Sequence, residues 1–162
     1  MFAATAIDYA DKEAFYAELA SQAEGLLAGE TDRVANAANL AALVFHALPE
    51  INWAGFYFLA EDGLVVGPFQ GRPACVRIPL GRGVCGTAAA ERRTILVEDV
   101  DAFPGHIACD VASRSEVVVP LETAEGRLVG VLDIDSPKPG RFDAADAAGL
   151  ARVAAVFVAS LG

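Results

Sequence analysis

The chain has 162 residues, 22 acidic against 12 basic side chains, a net charge of −10 and a hydrophobic content of 54%. A chain of this length buries roughly two thirds of its unfolded surface, so it can build a core without disulfides or a structural metal, and its three cysteines call for another explanation. The acidic balance argues against nucleic acid or an anionic membrane as partner, because both need clustered Lys and Arg, and lysine occurs only at Lys12 and Lys138.

The opening Met1-Phe2-Ala3-Ala4-Thr5-Ala6-Ile7-Asp8 lacks the basic start of a signal peptide. The longest uncharged apolar stretch, Val34 to Pro49, is interrupted by Asn36, Asn39 and His46 and falls short of the ~20 residues a membrane span needs. The expectation is a cytoplasmic protein, in which an odd set of cysteines reads as free or redox-active. No repeat or linker-like shift in composition divides the chain, so residues 1–162 are taken as a single domain.

Asp11 is a cap for a first helix with Phe15, Leu19, Ala23 and Leu26 at helical spacing, ended by Gly29. Thr31 or Asp32 caps a second, whose stripe runs through Ala37, Leu40, Ala41, Val44 and Leu48 until Pro49 stops it. Six strands follow: Trp53 to Leu59, Leu64 to Phe69, Val76 to Leu80, Ile95 to Val97, Glu116 to Leu121 and Arg127 to Asp135. A short helix from Gly83 to Ala90 separates the third from the fourth, with no capping side chain at Gly81-Arg82. Asp143 starts the last helix, with Asp146 favourably placed in its first turn and Leu150, Val153, Phe157 and Leu161 on one face. The pattern predicts an α+β domain: a six-stranded, largely antiparallel sheet with the terminal helices packed on one face and the other face free to hold a ligand under loops.

The hairpin around Thr123-Ala124-Glu125-Gly126 brings acids together. If those four residues form the turn, Glu122 pairs with Arg127 and Glu116 lies opposite Asp133, with Asp135 on the same face. Carboxylates so placed repel one another and require a compensating cation. Three readings compete. The patch is a solvated strand end paired to Arg114 or Arg141, or a divalent metal site without the usual calcium-loop spacing, or a seat for an organic ammonium group.

Cys75, Cys85 and Cys109 form no CxxC pair, and with only His46 and His106 as companions they have poor zinc spacing. Cys85, beside Gly86 in the short helix, suits simple packing. Cys75 and Cys109 both lie in loops, which can bring two thiols together, so they read as an attacking and resolving pair. His106, near Cys109, is a candidate for tuning a thiolate, while His46 in its apolar helix reads as a core or interface residue. Trp53, Gly55 and Tyr57 share one strand face, either as core or as a shallow floor between two rings that suits a methyl or thioether group.

Taken together, Asn52-Trp53-Ala54-Gly55-Phe56-Tyr57, Gly67-Pro68-Phe69-Gln70-Gly71-Arg72-Pro73-Ala74-Cys75, Gly81-Arg82-Gly83-Val84-Cys85-Gly86, His106-Ile107-Ala108-Cys109-Asp110, Ser113-Arg114-Ser115-Glu116 and Gly130-Val131-Leu132-Asp133-Ile134-Asp135-Ser136 resemble the free methionine-(R)-sulfoxide reductases, stand-alone enzymes of GAF fold. The resemblance implies that Cys109 is the attacking thiolate, that Cys75 resolves it, and that Cys85 matches a third family cysteine of less settled role. It also implies that Glu116, Asp133 and Asp135 read the substrate ammonium and that Trp53 and Tyr57 seat the methyl sulfoxide.

The activity so implied is reduction of free L-methionine-(R)-sulfoxide to methionine through a sulfenic acid and a disulfide, with no bound metal or cofactor and with thioredoxin as external reductant. Selectivity for the R epimer and a homodimeric state rest on the resemblance alone. The alternative is a non-catalytic GAF module that senses a small ligand or oxidants; such modules usually sit beside an output domain, for which 162 residues leave no room.

Overall fold

A computed structural model describes all 162 residues. Asp11 accepts from the Ala14 N–H and caps α1 (Lys12–Leu27), and Asp32 rather than Thr31 does the same for α2 (Arg33–Ala47) through the Ala35 N–H. The sheet contains β1 (Trp53–Ala60), β2 (Gly63–Gly71), β3 (Arg77–Ile78), β4 (Ile95–Val97), β5 (Ser115–Glu122) and β6 (Leu128–Ser136) in the order β3-β2-β1-β6-β5-β4, every neighbouring pair antiparallel. The β3 strand is shorter than Val76 to Leu80, because Pro79 ends the ladder after two residues. The helix α3 (Gly83–Glu91) follows it with no side-chain cap, as Gly81-Arg82 implied.

Alternation along the strands sorts the two faces. Ala54, Phe56 and Phe58 of β1, Val117, Val119 and Leu121 of β5, and Leu132 and Ile134 of β6 pack under α1, α2 and α4 (Ala144–Ser160) in the larger core. The intervening residues Trp53, Tyr57, Val118 and Val131 meet Val84, Cys85, Ala88 and Ala89 of α3 on the opposite face. No helix is long and apolar enough to cross a membrane.

The α4 start is a capping box, Asp143 with Asp146. Asp146 also accepts from Tyr9, from Tyr16 at 2.8 Å and from Lys12 at 2.7 Å, and Arg141 stands 3.5 Å away. Burial alone would raise this carboxyl, but the Lys12, Tyr9, Asp143 N–H and Tyr16 hydrogen bonds hold it at about 2.

The β5–β6 register corrects the one expected. The Thr123 N–H bonds to Arg127 O at 2.9 Å, with Gly126 at φ +80°, which makes the turn one residue tighter. A bulge between the Leu121–Gly130 and Glu122–Leu128 pairs adds one more step, with Val129 as the extra residue. Glu116 therefore faces Asp135 and Val118 faces Asp133. A slip of two residues preserves the side-chain face, so the three carboxyls still share one side of the sheet.

Candidate active site

β1 enters the site at Trp53, whose indole stacks on Tyr57 and Phe69 with ring centroids 5.8 and 5.1 Å away. Of the two readings of this face, packing prevails over an open floor at Gly55. A Cβ on Gly55 would stand 2.2 Å from Phe69 Cβ and 2.8 Å from Trp53 Cη2, so this glycine exists to let the two rings close over it. Trp53 and Tyr57 hold the loop after β2: Trp53 Nε1 donates to Arg72 O at 3.1 Å and Tyr57 Oη donates to Cys75 O at 3.2 Å.

That loop delivers Cys75 to Cys109, with which it forms a disulfide across a Cα–Cα distance of 5.4 Å. The Cys109 segment is held from the start of β1. Asn52 Nδ2 donates to Asp110 Oδ2 at 3.2 Å and to Ser113 Oγ at 3.1 Å. The roles of Asn52, Asp110 and Ser113 leave no local pattern in the sequence, because these contacts join separate loops.

Under the disulfide lies a cavity lined by Trp53, Tyr57, Ile107, Cys109 and the first turn of α3, with Glu116, Asp133 and Asp135 also on its walls. Cys85, brought down by α3, is buried and free, and its Sγ donates to Glu116 Oε1 at 3.8 Å. Glu116 and Asp133 are buried, and Asp133 Oδ1 has no hydrogen-bond partner. Arg114 stands 3.9 Å from exposed Asp101, and Arg141 is engaged with Tyr9 and Pro49 O, so the arginine pairing considered for the cluster does not occur. The nearest basic side chain is His106, with Nε2 3.9 Å from Glu116 Oε2, and burial lowers its pKa. His46 is exposed and edge-on to Phe45, outside the core, because it lies on the outward side of α2.

A GAF domain model matches residues 34–159. The chain is 54% identical over 145 residues to the free methionine-R-sulfoxide reductase of Escherichia coli (strain K12), covering 90% of this chain and 87% of that protein. The chain belongs to the free methionine-R-sulfoxide reductases of GAF fold. It is also 44% identical over 143 residues to the enzyme of that name from Saccharomyces cerevisiae, covering 84% of this chain and 79% of that one. The solved structure of free methionine-R-sulfoxide reductase from Neisseria meningitidis in complex with its substrate superposes with a TM-score of 0.93 at 46% identity, over 99% of this chain and 96% of that one.

Burial and like charge set the electrostatics of the cavity. Burial, then the neighbouring Asp133 and Asp135 charges, push the Glu116 carboxyl well above the ordinary range, while Asp135 is raised by burial and by Asp133 and Asp110. Burial raises Asp133 to about 6, against the moderating contacts of Glu116 and Cys85. Burial and the same carboxyls raise the Cys85 thiol, which keeps it protonated as a donor. Burial and mutual repulsion thus hold the three crowded carboxyls toward their protonated forms. Cys85 Sγ and oxygens of Glu116 and Asp133 lie within 4.8 Å of one another, a donor set that could also hold a borderline-soft divalent ion.

Proposed function

We propose that the chain reduces free L-methionine-(R)-sulfoxide to L-methionine with Cys109 as nucleophile and Cys75 as resolving thiol. The observation that carries the reading is the asymmetry of the disulfide: Cys109 lines the cavity beside the carboxyl cluster, and Cys75, bonded to it, does not. The R stereochemistry comes from the named relatives.

In the reduced protein the Cys109 thiolate attacks the sulfoxide sulfur, with the methyl group against Trp53 and Tyr57. A protonated carboxyl of the Glu116–Asp135 pair supplies a proton to the sulfoxide oxygen as the S–O bond breaks. The oxygen passes to the Cys109 sulfur, which becomes a sulfenic acid, while the transient bond between Cys109 and the substrate sulfur breaks and its electron pair leaves with methionine. The Cys75 thiol then displaces water from that sulfenic acid, giving the Cys75–Cys109 disulfide. A thioredoxin-type dithiol reopens it by exchange, so no step needs a bound cofactor.

The substrate's ammonium group is read by the carboxyl cluster. Its carboxylate fits the opposite wall, where Gly83, Val84 and Cys85 open α3 without a side-chain cap and offer backbone N–H groups to an anion. Cys85 acts as a positioning residue that donates to Glu116.

Single-turnover product analysis tests the cysteine roles. Reduced Cys75→Ser yields one equivalent of methionine and then stops without an added thiol, whereas reduced Cys109→Ser yields none. Stoichiometric methionine from Cys109→Ser would remove the nucleophile from this scheme.

A further inference from the structure

The two sulfurs of the disulfide lie in surroundings of opposite charge. Cys75, partly exposed as Cys109 also is, sits in the segment Arg72-Pro73-Ala74-Cys75-Val76-Arg77-Ile78-Pro79-Leu80-Gly81-Arg82, which carries the β3 edge of the sheet. Arg72, Arg77 and Arg82 are exposed, and none of them makes a side-chain hydrogen bond or ion pair within the protein. Val76 is 61% exposed and Leu80 48% exposed on the same edge. From Gly63 to Ala90 there is no Asp or Glu at all, in a chain with 22 of them. Cys109, by contrast, faces the cavity from a segment that holds Asp99, Asp101 and Asp110.

An unpaired basic and apolar edge beside a disulfide, on a protein of net charge −10, is a surface for an oppositely charged partner that must reach that disulfide. The β3 edge is too short and too charged to recruit another sheet edge, which leaves its side chains as the recognition feature.

We propose that the recycling reductant docks on this β3 edge with an acidic, partly apolar face around its dithiol, and that it attacks Cys75 rather than Cys109. The proposal rests on the recycling step given above. The partner's thiolate bonds to Cys75 Sγ while the Cys75–Cys109 bond breaks, and the electron pair leaves with Cys109, restoring the thiolate inside the cavity. The partner's second thiolate then attacks its own sulfur in the mixed disulfide and releases Cys75 as thiolate. One disulfide is reduced and one dithiol is oxidised. The route leaves the cavity side of the disulfide free, so the docked partner and the next substrate do not compete for one opening.

Two measurements decide it. Oxidised protein is mixed with thioredoxin whose second active-site cysteine is serine, and the adduct is mapped by peptide mass spectrometry. Adduct on Cys75 is expected, and adduct on Cys109 overturns the assignment. Arg72→Glu and Arg77→Glu, singly and together, are then assayed with wild-type thioredoxin and with dithiothreitol. The double variant is expected to lose about tenfold or more in kcat/KM for thioredoxin and to lose most of its salt dependence, with the dithiothreitol-driven rate unchanged. Unchanged thioredoxin kinetics overturn the docking surface. A wild-type protein that turns over with dithiothreitol but not with thioredoxin overturns the recycling step itself, a failure distinct from that of the docking edge.

Discussion

Asp133→Asn examines the carboxyl cluster through stability rather than activity. Burial raises Asp133 from the ordinary 3.8 to about 6 in the folded protein. A raised folded value means that the native state holds the proton more tightly than the unfolded chain. Stability from this group is therefore complete below pH 3.8 and is lost as pH rises through about 6. Two units at 1.36 kcal/mol each amount to about 3 kcal/mol lost between pH 4 and pH 7. Asparagine has the same shape and does not ionise, and its amide can donate toward Glu116. In thermal melts followed by circular dichroism, Asp133→Asn is expected to match the wild type near pH 4. At pH 8 it is expected to melt higher by about 6–12 °C, at roughly 2–4 °C per kcal/mol for this chain length. It should also bind free methionine more weakly, so added methionine raises the wild-type melting temperature more than the variant's. A variant that melts below the wild type at pH 8 would refute the reasoning, because Asp133 would then be a satisfied ion and not a strained one.

Asp146 behaves in the opposite sense. Held at about 2 in the folded state, it contributes stability that is present above pH 3.8 and lost as pH falls through about 2. Asp146→Ala, which strips Tyr16, Lys12 and Arg141 of their shared acceptor, is expected to cost about 3 kcal/mol in urea unfolding at pH 7, with the difference shrinking below pH 3. At Gly55, where an added Cβ meets Phe69 and Trp53, Gly55→Ala is expected to cost about 1–3 kcal/mol, change the emission of the single tryptophan and raise KM.

The elements with periodic apolar residues and a capping acid were legible in the sequence: α1, α2 and α4 begin where Asp11, Asp32 and Asp143 place them. Thr31 and Asp32 were indistinguishable there, since either side chain can accept a first-turn N–H, and only the local backbone decides. The carboxyl cluster was legible because it depends on parity, which survived the two-residue slip; the opposing partners were not, since a bulge at Val129 leaves no compositional mark. Of the two readings of Trp53, Gly55 and Tyr57, packing rather than an open floor forms at Gly55, and the choice lay on the neighbouring strand, at Phe69. The roles of Asn52, Asp110 and Ser113 were illegible for a similar reason: they join two loops far apart in sequence. The proximity of Cys75 and Cys109 was legible only as loop placement, and which of them faces the cavity required the fold.

In the proposed reaction a cavity thiolate reduces a sulfoxide whose ammonium group is held by the carboxyls of Glu116, Asp133 and Asp135. The most direct test is NADPH consumption coupled through thioredoxin reductase and thioredoxin, comparing free L-methionine-(R)-sulfoxide, its S epimer and N-acetylated methionine sulfoxide. Turnover is expected for the free R epimer, with none for the S epimer. The N-acetylated compound should lose at least about tenfold in kcat/KM, since each carboxyl left without its cation costs roughly 1–3 kcal/mol. Comparable turnover of the N-acetylated substrate would contradict the ammonium site, and absence of turnover with folded, reduced protein would contradict the reductase reading as a whole.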